Sequence, residues 1–400
     1  MKCKVSGKNI KPFMSFGKMP MANGFLEEKK FKNEFFYNLE VGFCEYNYLF
    51  QVNDHPKSQK IFNHEYPFYT NKSEFMRNHF KKFFLWTQKN FLKDSSKIIE
   101  IGSNDGTFLN NFKIHNYEHY GFEPSKNVAD VSKKFNLKII NDFFNHENAC
   151  KLKKFVSKTD LICAANVISH IPNLNDLIKG IELLLSKNGV FVFEEPYLGA
   201  MFEKISYDQI YDAHVFMFSI LSVREIFKKF DLELIDAYPQ ITHGGSMRYI
   251  IGRKKLRPVS KRVELLLKKE ISMNLNNIKS CIKFKNNCEI SKKNFKKKLI
   301  NLKEKGYRIC GYAAAAKSTT LLNYCKIDRN FIDYIADSTD EKVGKFSPGM
   351  HIPIVSIDYF RKNYPDIALL LSWNHKNEIL EKEKNFLNRG GKWIWHAQIK

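Results

Sequence analysis

Residues 97–112, KIIEIGSNDGTFLNNF, run from an apolar strand through a glycine turn into a helix start, and no other stretch restricts the fold as tightly. The strand-like segments HYGFEPS, LKIINDFF, DLICAANV and GVFVFEEP follow, separated by helical patterns. Strands alternating with helices predict a parallel, doubly wound α/β sheet. An aromatic-rich irregular stretch then leads from Pro196 to Phe218, and LELIDAYP and MRYIIG, linked through His243-Gly244-Gly245, predict an antiparallel edge.

A second alternating section closes the chain: RICGYA, a helix over Ser318–Tyr324, FIDYIAD, DIALLLSW and KWIW. Two Rossmann-like units in one chain imply two ligands. Upstream, FFYNLEVGFC and YLFQV read as short strands, and SEFMRNHFKKFFLWTQKNFLK as a helix capped by Ser73. Residues 254–305 read as helical, lysine-rich and interrupted near Cys288, which predicts one or two connecting helices with a solvated basic face. The expected organisation is a small N-terminal domain (1–70), a central domain (71–255) and a C-terminal domain (256–400).

A formal charge of +23 suits a phosphate-bearing partner, although a composition rich in Lys, Asn, Ile and Phe produces the same excess without any partner. The 8 cysteines form no dense framework, and no N-terminal apolar segment or membrane-length apolar run is evident, so a reduced cytoplasmic protein without a membrane partner is expected.

In the turn itself, Gly102, Ser103, Asn104, Asp105 and Gly106 form a candidate cofactor cradle, since a bare glycine lets a ligand approach the backbone at a helix start. Glu123 stands at the end of the second strand of this unit, about 20 residues on, where an acid accepts ribose hydroxyls. Asp142 follows the third strand, placed to accept an adenine amino group, and Asn166 follows the fourth. The turn does not meet G-x-G-x-x-G, and a sheet ending in an antiparallel pair suits a class I methyltransferase with S-adenosylmethionine better than an NAD enzyme. Methylation of a base amine is disfavoured because the position of the usual base-holding [DNS]-P-P-[FYW] stretch reads Ala165-Asn166-Val167-Ile168.

RICGYAAAAKSTT nearly spells a nucleotide triphosphatase loop, but Ala316 stands where the Walker glycine belongs, before Lys317 and Ser318. Gly311, Lys317 and Ser318 are instead candidate diphosphate contacts at a strand-to-helix turn. Asp337 would be the magnesium partner of an ATPase, a reading the sequence does not favour.

The motifs HEYPFYTNKSEFMRNHF, EIGSNDG, GFEPS, NDFF, NVISHIPNL, VFEEPYL, SYDQIYDAHVFMFS, HGGSMRY, GYAAAAKSTTLLNY and SPGMHIPI, in this order along nearly the whole chain, resemble the sugar-nucleotide C-methyltransferases of deoxysugar pathways. The resemblance implies a small zinc-binding N-terminal domain, a class I methyltransferase domain and a Rossmann-like C-terminal domain that helps hold a nucleoside-diphosphate sugar. The implied reaction places a methyl on C3 of a 4-keto-deoxysugar through an enolate, with no nucleic-acid partner. Such chemistry needs a base near C3 and donors near the O4 oxyanion. By resemblance His214 is the base and Tyr211 a neighbouring donor, His170 donates to O4, Tyr66 and Tyr69 reach the sugar pocket, and His243 lines it.

Two departures stand out. The family pattern Y-D-E-H reads Tyr211-Asp212-Ala213-His214 here, without the glutamate. The family's two C-x-x-C pairs read Cys3-Lys4-Val5-Ser6 and Cys44-Glu45-Tyr46-Asn47, so only Cys3 and Cys44 remain and no bound metal is expected. These departures and the charge leave two other readings open: an epimerase of the same fold, and a non-catalytic binder of sugar nucleotides or nucleic acid.

Overall fold

The computed structural model describes residues 1–64 and 66–398. Strands β1 (Pro12–Pro20), β2 (Phe36–Cys44) and β3 (Leu49–Val52) form an antiparallel ladder. The helix Glu74–Phe91 follows, with the Ser73 side chain accepting from the Met76 amide as the sequence predicts. It buries Met76, Phe80, Phe83, Phe84 and Thr87, one stripe at helical spacing, and Phe83 stacks on Phe108 with ring centroids 4.6 Å apart.

The central sheet contains β4 (Lys97–Ile101), β5 (Glu118–Phe122), β6 (Ile139–Ile140), β7 (Thr159–Ala165) and β8 (Leu185–Pro196), all parallel. The chain then makes β9 (Phe216–Met217) and returns for the antiparallel pair β10 (Leu232–Gln240) and β11 (Ser246–Arg253). Spatial order is β10-β11-β8-β7-β4-β5-β6. The order reverses between β4 and β7, which opens a crevice at their carboxyl ends. Strand β9 does not join this sheet; it pairs with β3, so the loop leaving β8 is pinned at its far end to the N-terminal ladder.

Strands β12 (Ile309–Tyr312), β13 (Ile335–Asp337), β14 (Ile354–Ser356), β15 (Ile367–Leu370) and β16 (Lys392–Ile394) make a second, wholly parallel sheet in the order β14-β13-β12-β15-β16. Its switch point lies between β12 and β15. The N-terminal ladder shares its core with this C-terminal unit: Phe13, Phe16 and Phe50 belong with Phe284, Leu321 and Ile335, and Phe16 meets the Tyr324 ring at 4.8 Å.

The lysine-rich connection corrects one expectation. Its helices are Lys261–Ser272 and Ile278–Glu304, so the interruption falls at 273–277 and not at Cys288. Cys288 is buried with Cys281, Phe284, Phe295 and Leu299 on a stripe that keeps the long helix intact, while the lysines occupy its other faces. Among the described residues, no helix is long and apolar enough to cross a membrane.

Candidate active site

The carboxyl ends of both parallel sheets open into one cavity of about 880 Å³. Gly102 after β4 and Ala313 after β12 both line it, so the two turns singled out in the sequence serve a common space. Residues 66–72 form a strap beside it. The Asn104 side chain accepts from the amide and hydroxyl of Thr70, each at 3.0 Å, and donates to the Phe68 carbonyl at 3.2 Å.

On the central-sheet side, Gly102, Ser103, Asn104, Glu123, Asp142 and Asn166 all face the cavity. Gly102 has φ +69°, and a Cβ there would lie 2.4 Å from Val167 Cγ2, so both backbone and packing require glycine. Glu123 shapes the turn by accepting the Asn104 amide on Oε2 (3.0 Å) and the Ser125 amide on Oε1 (2.8 Å); burial nonetheless raises its pKa. Two expected members are placed elsewhere. Asp105 spends its carboxylate on the Asn71 amide and the Thr107 hydroxyl, and Gly106 packs where a Cβ would meet Leu137 at 2.3 Å. Burial also drives the pKa of Glu100 well up, and its Oε2, in the cavity wall, has no partner. An orphaned buried carboxyl, a bare-glycine turn and a ribose-ready acid fit S-adenosylmethionine, which carries an ammonium, a sulfonium and a ribose diol.

Tyr66, Tyr69, His170, Tyr211 and His214 line the same cavity. Nδ1 of His214 donates to the Gln209 carbonyl at 2.8 Å, because a carbonyl can only accept. Burial first, and then the neighbouring His170, push its pKa well below the ordinary value. The ring is therefore neutral with its lone pair on Nε2, and the Tyr211 hydroxyl, 2.6 Å away, donates to it. His170 stacks on His214 with centroids 5.2 Å apart; burial lowers its pKa to about 4, and its Nε2 has no partner. Glu195 holds the turn that carries His170, accepting the Val167 and Ser169 amides at 2.8 and 3.2 Å. Tyr69 OH accepts from Asn127 at 2.9 Å, fixing the strap's inner edge. Tyr207 is turned away into the core, 3.4 Å from the Cys325 sulfur.

From the second sheet, Lys317 reaches the cavity, with His243 opposite. Lys317 Nζ donates to the His243 carbonyl and Asn374 Oδ1, both at 3.4 Å, and lies 5.6 Å from the centre of the Trp373 ring; burial lowers its pKa, against the field of Asp208. Gly311 and Ser318 do not face the cavity, contrary to expectation. Gly311 points from β12 into the core, where a Cβ would lie 2.9 Å from Ile335, and Ser318 Oγ bonds to the Ala315 carbonyl at 2.6 Å. Asp337 accepts the Ala314 and Thr339 amides at 2.6 and 2.8 Å and so holds the turn after β12.

Models of three families match consecutive parts of the chain: a zinc binding domain over residues 3–62, a methyltransferase domain over 72–237 and a C-methyltransferase C-terminal domain over 241–397. The C-methyltransferase NovU of Streptomyces niveus is 27% identical over 399 residues, which covers 98% of this chain and 94% of that protein. The chain is a C-methyltransferase. Among solved structures, the PH0226 protein of Pyrococcus horikoshii OT3 aligns at 15% identity with a TM-score of 0.39, covering 50% of this chain and 100% of its own. Magnesium protoporphyrin IX methyltransferase of Synechocystis PCC 6803 aligns at 10% identity and TM-score 0.34, covering 44% and 79%.

The zinc-type corners of this C-methyltransferase converge in space but not in chemistry. Ser6 Oγ lies 3.5 Å from the Cys44 sulfur, and the Asn47 amide nitrogen 3.6 Å from that of Cys3. Two thiols, a hydroxyl and a carboxamide do not fit a tetrahedral structural zinc. Among the described residues, no group of three His, Cys, Asp or Glu side chains is placed to hold a metal.

Several residues of this C-methyltransferase cavity were not singled out as binding candidates in the sequence. Thr70, Asn374, His375, Thr339 and Lys342 all line it. All but Thr70 follow carboxyl ends of the second sheet, which is the one signal that would have found them.

Proposed function

We propose that this S-adenosylmethionine-dependent C-methyltransferase places its methyl on C3 of a nucleotide-linked 4-keto-deoxysugar through an enolate. The single observation that carries the reading is the shared cavity, with the cofactor turn, the histidine–tyrosine pair and the buried Lys317 in its walls. Lys317 is buried, its hydrogen-bond partners are two neutral oxygens, and beyond them it has the Trp373 ring and the field of Asp208; a diphosphate between nucleoside and sugar gives its ammonium a directly bonded anionic partner.

Carbon becomes nucleophilic once a proton leaves it, and a neighbouring ketone spreads the resulting charge onto its oxygen. His214 takes that proton at Nε2, the nitrogen its bond to Gln209 leaves unprotonated, once the Tyr211 hydroxyl that donates to it has turned to the substrate. His170 offers its unpartnered nitrogen to the enolate oxygen. Gly102, Asn104, Glu123 and Asp142 hold the cofactor, which when bound supplies the electrophilic methyl. Tyr66 and Tyr69 close the sugar side from the strap.

The test is incubation with methyl-labelled S-adenosylmethionine and GDP-, CDP- or dTDP-linked 4-keto sugars, read by mass spectrometry. A labelled sugar one methyl heavier supports the reading. Solvent deuterium at the carbon beside the ketone without methyl gain replaces it with epimerisation, and label on the nucleoside or a hydroxyl oxygen overturns it.

A further inference from the structure

The two turns that open into the cavity are wired alike. At the end of β5, Glu123 accepts the amide of Asn104, in the turn after β4, and the amide of Ser125, two residues further on. At the end of β13, Asp337 accepts the amide of Ala314, in the turn after β12, at 2.6 Å, and that of Thr339, again two residues on, at 2.8 Å. Each turn also carries a residue other than glycine at positive φ, Asn104 at +49° and Ala313 at +68°. In each sheet the acid stands at the carboxyl end of the second strand, beside the strand whose turn it holds.

This repetition has a chemical meaning. Asp337 is buried and lines the cavity, and each of its oxygens accepts one backbone amide. A carboxylate oxygen accepts two donors, so Oδ1 keeps a lone pair, while Oδ2 is also paired with Lys342. Lys342 Nζ lies 3.7 Å from Oδ2. In dinucleotide folds an acid at this place takes a ribose 2′-hydroxyl. The open acceptor on Oδ1 suits a ribose 2′-hydroxyl, which a ribonucleoside has and a 2′-deoxyribonucleoside lacks.

We propose that Asp337 is the ribose acceptor of the C-terminal half-site, and that the enzyme takes its sugar on a ribonucleoside diphosphate in preference to a 2′-deoxyribonucleoside diphosphate. The proposal rests on reading the cavity as a sugar-nucleotide site. It assigns Asp337 the specificity and leaves Lys317 the diphosphate. Loss of the 2′-hydroxyl strips a buried acceptor of its donor, which lowers affinity by about 10- to 100-fold.

Calorimetric titration of the full chain with GDP, 2′-deoxy-GDP, CDP, 2′-deoxy-CDP and dTDP tests this. Tighter binding of at least one ribonucleotide than of its 2′-deoxy counterpart, by about tenfold or more, is expected. Equal affinities within both pairs, or preference for the deoxy forms, overturn the proposal while leaving the sugar-nucleotide reading in place. Absence of binding by all five overturns that reading and the proposal with it. In Asp337→Asn the ribo preference is expected to collapse; a variant that folds and keeps the full preference removes Asp337 from the role. Should the variant not fold, the unmodified chain decides by its own ribo-to-deoxy ratio.

Discussion

The Tyr211 hydroxyl donates to Nε2 of His214 at 2.6 Å, and Nδ1 on the other side of the ring donates to the Gln209 carbonyl at 2.8 Å. The second bond fixes the tautomer and the first marks the nitrogen able to take a proton. His214→Ala is expected to lower turnover by about 10²- to 10⁴-fold, the range of a general base, with S-adenosylmethionine affinity unchanged by calorimetry. Tyr211→Phe keeps the base and frees its lone pair, so its loss is expected to be at least tenfold smaller than that of the alanine variant. Equal losses in the two variants would make the pair one unit and deny His214 its separate role.

The same burial sets the pH profile. With the pKa of His214 held well below 6.5, the neutral base is already formed throughout the range in which a solvated histidine titrates. The ratio kcat/KM is therefore expected to stay flat from pH 8 down through 6.5 as far as His214 controls it, with its acid limb lower. A limb that is centred at 6.5 and vanishes in a His214 variant with residual activity would show the ring solvated, contrary to the geometry.

Glu195 makes a prediction about stability. Burial raises its pKa from 4.5 to about 7, outweighing the amides of residues 167–169 that favour the charged form. A carboxyl raised on folding binds its proton more tightly in the native state. Its contribution is complete below 4.5 and is lost as pH rises through about 7. Glutamine mimics the protonated group, so Glu195→Gln is expected to gain Tm relative to the parent between pH 5 and 8 and to show no relative gain at pH 4. A difference in Tm that does not change with pH would place the carboxyl in a polar setting.

The parts legible in the sequence were those set by local chemistry. The Ser73 cap, the strand–turn–helix at Gly102 and the antiparallel β10–β11 edge follow from residue types at fixed spacing. The parts that were not legible depend on contacts far along the chain. Gly311 read as a ligand turn, but it still lies within β12, where Ile335 and Leu371 occupy the space beside it. The sequence suggested a break near Cys288, yet burial of Phe284 and Phe295 against the C-terminal sheet carries the helix through. Asp337 was dismissed with the ATPase reading because no sequence pattern shows that the Ala314 amide reaches it. The cavity residues of the strap were partly visible as tyrosines, while Thr70 became meaningful only once it was seen holding Asn104.

The N-terminal corners carry the last prediction. Cys3 and Cys44 are buried, and the Cys44 thiol, more than the Ser6 amide and hydroxyl, lowers the Cys3 pKa to about 5. Ser6 and Asn47 complete the ring around the two sulfurs at 3.4 to 3.8 Å, hydrogen-bond distances for sulfur, and so replace metal bonds with hydrogen bonds. All four corners converge in space, with a hydroxyl and a carboxamide where a structural zinc needs two further thiolates. The parent chain is therefore expected to purify without stoichiometric zinc and to keep its Tm in chelator. The double variant Ser6→Cys, Asn47→Cys supplies four thiolates and is expected to bind one zinc per chain, with a Tm that rises with metal and falls on chelation, since metal held only by the native state adds its binding energy to stability. A double variant that folds but takes up no zinc would show that the corners no longer stand tetrahedrally, and stoichiometric zinc in the parent chain would show that two thiols with Ser6 and Asn47 suffice after all.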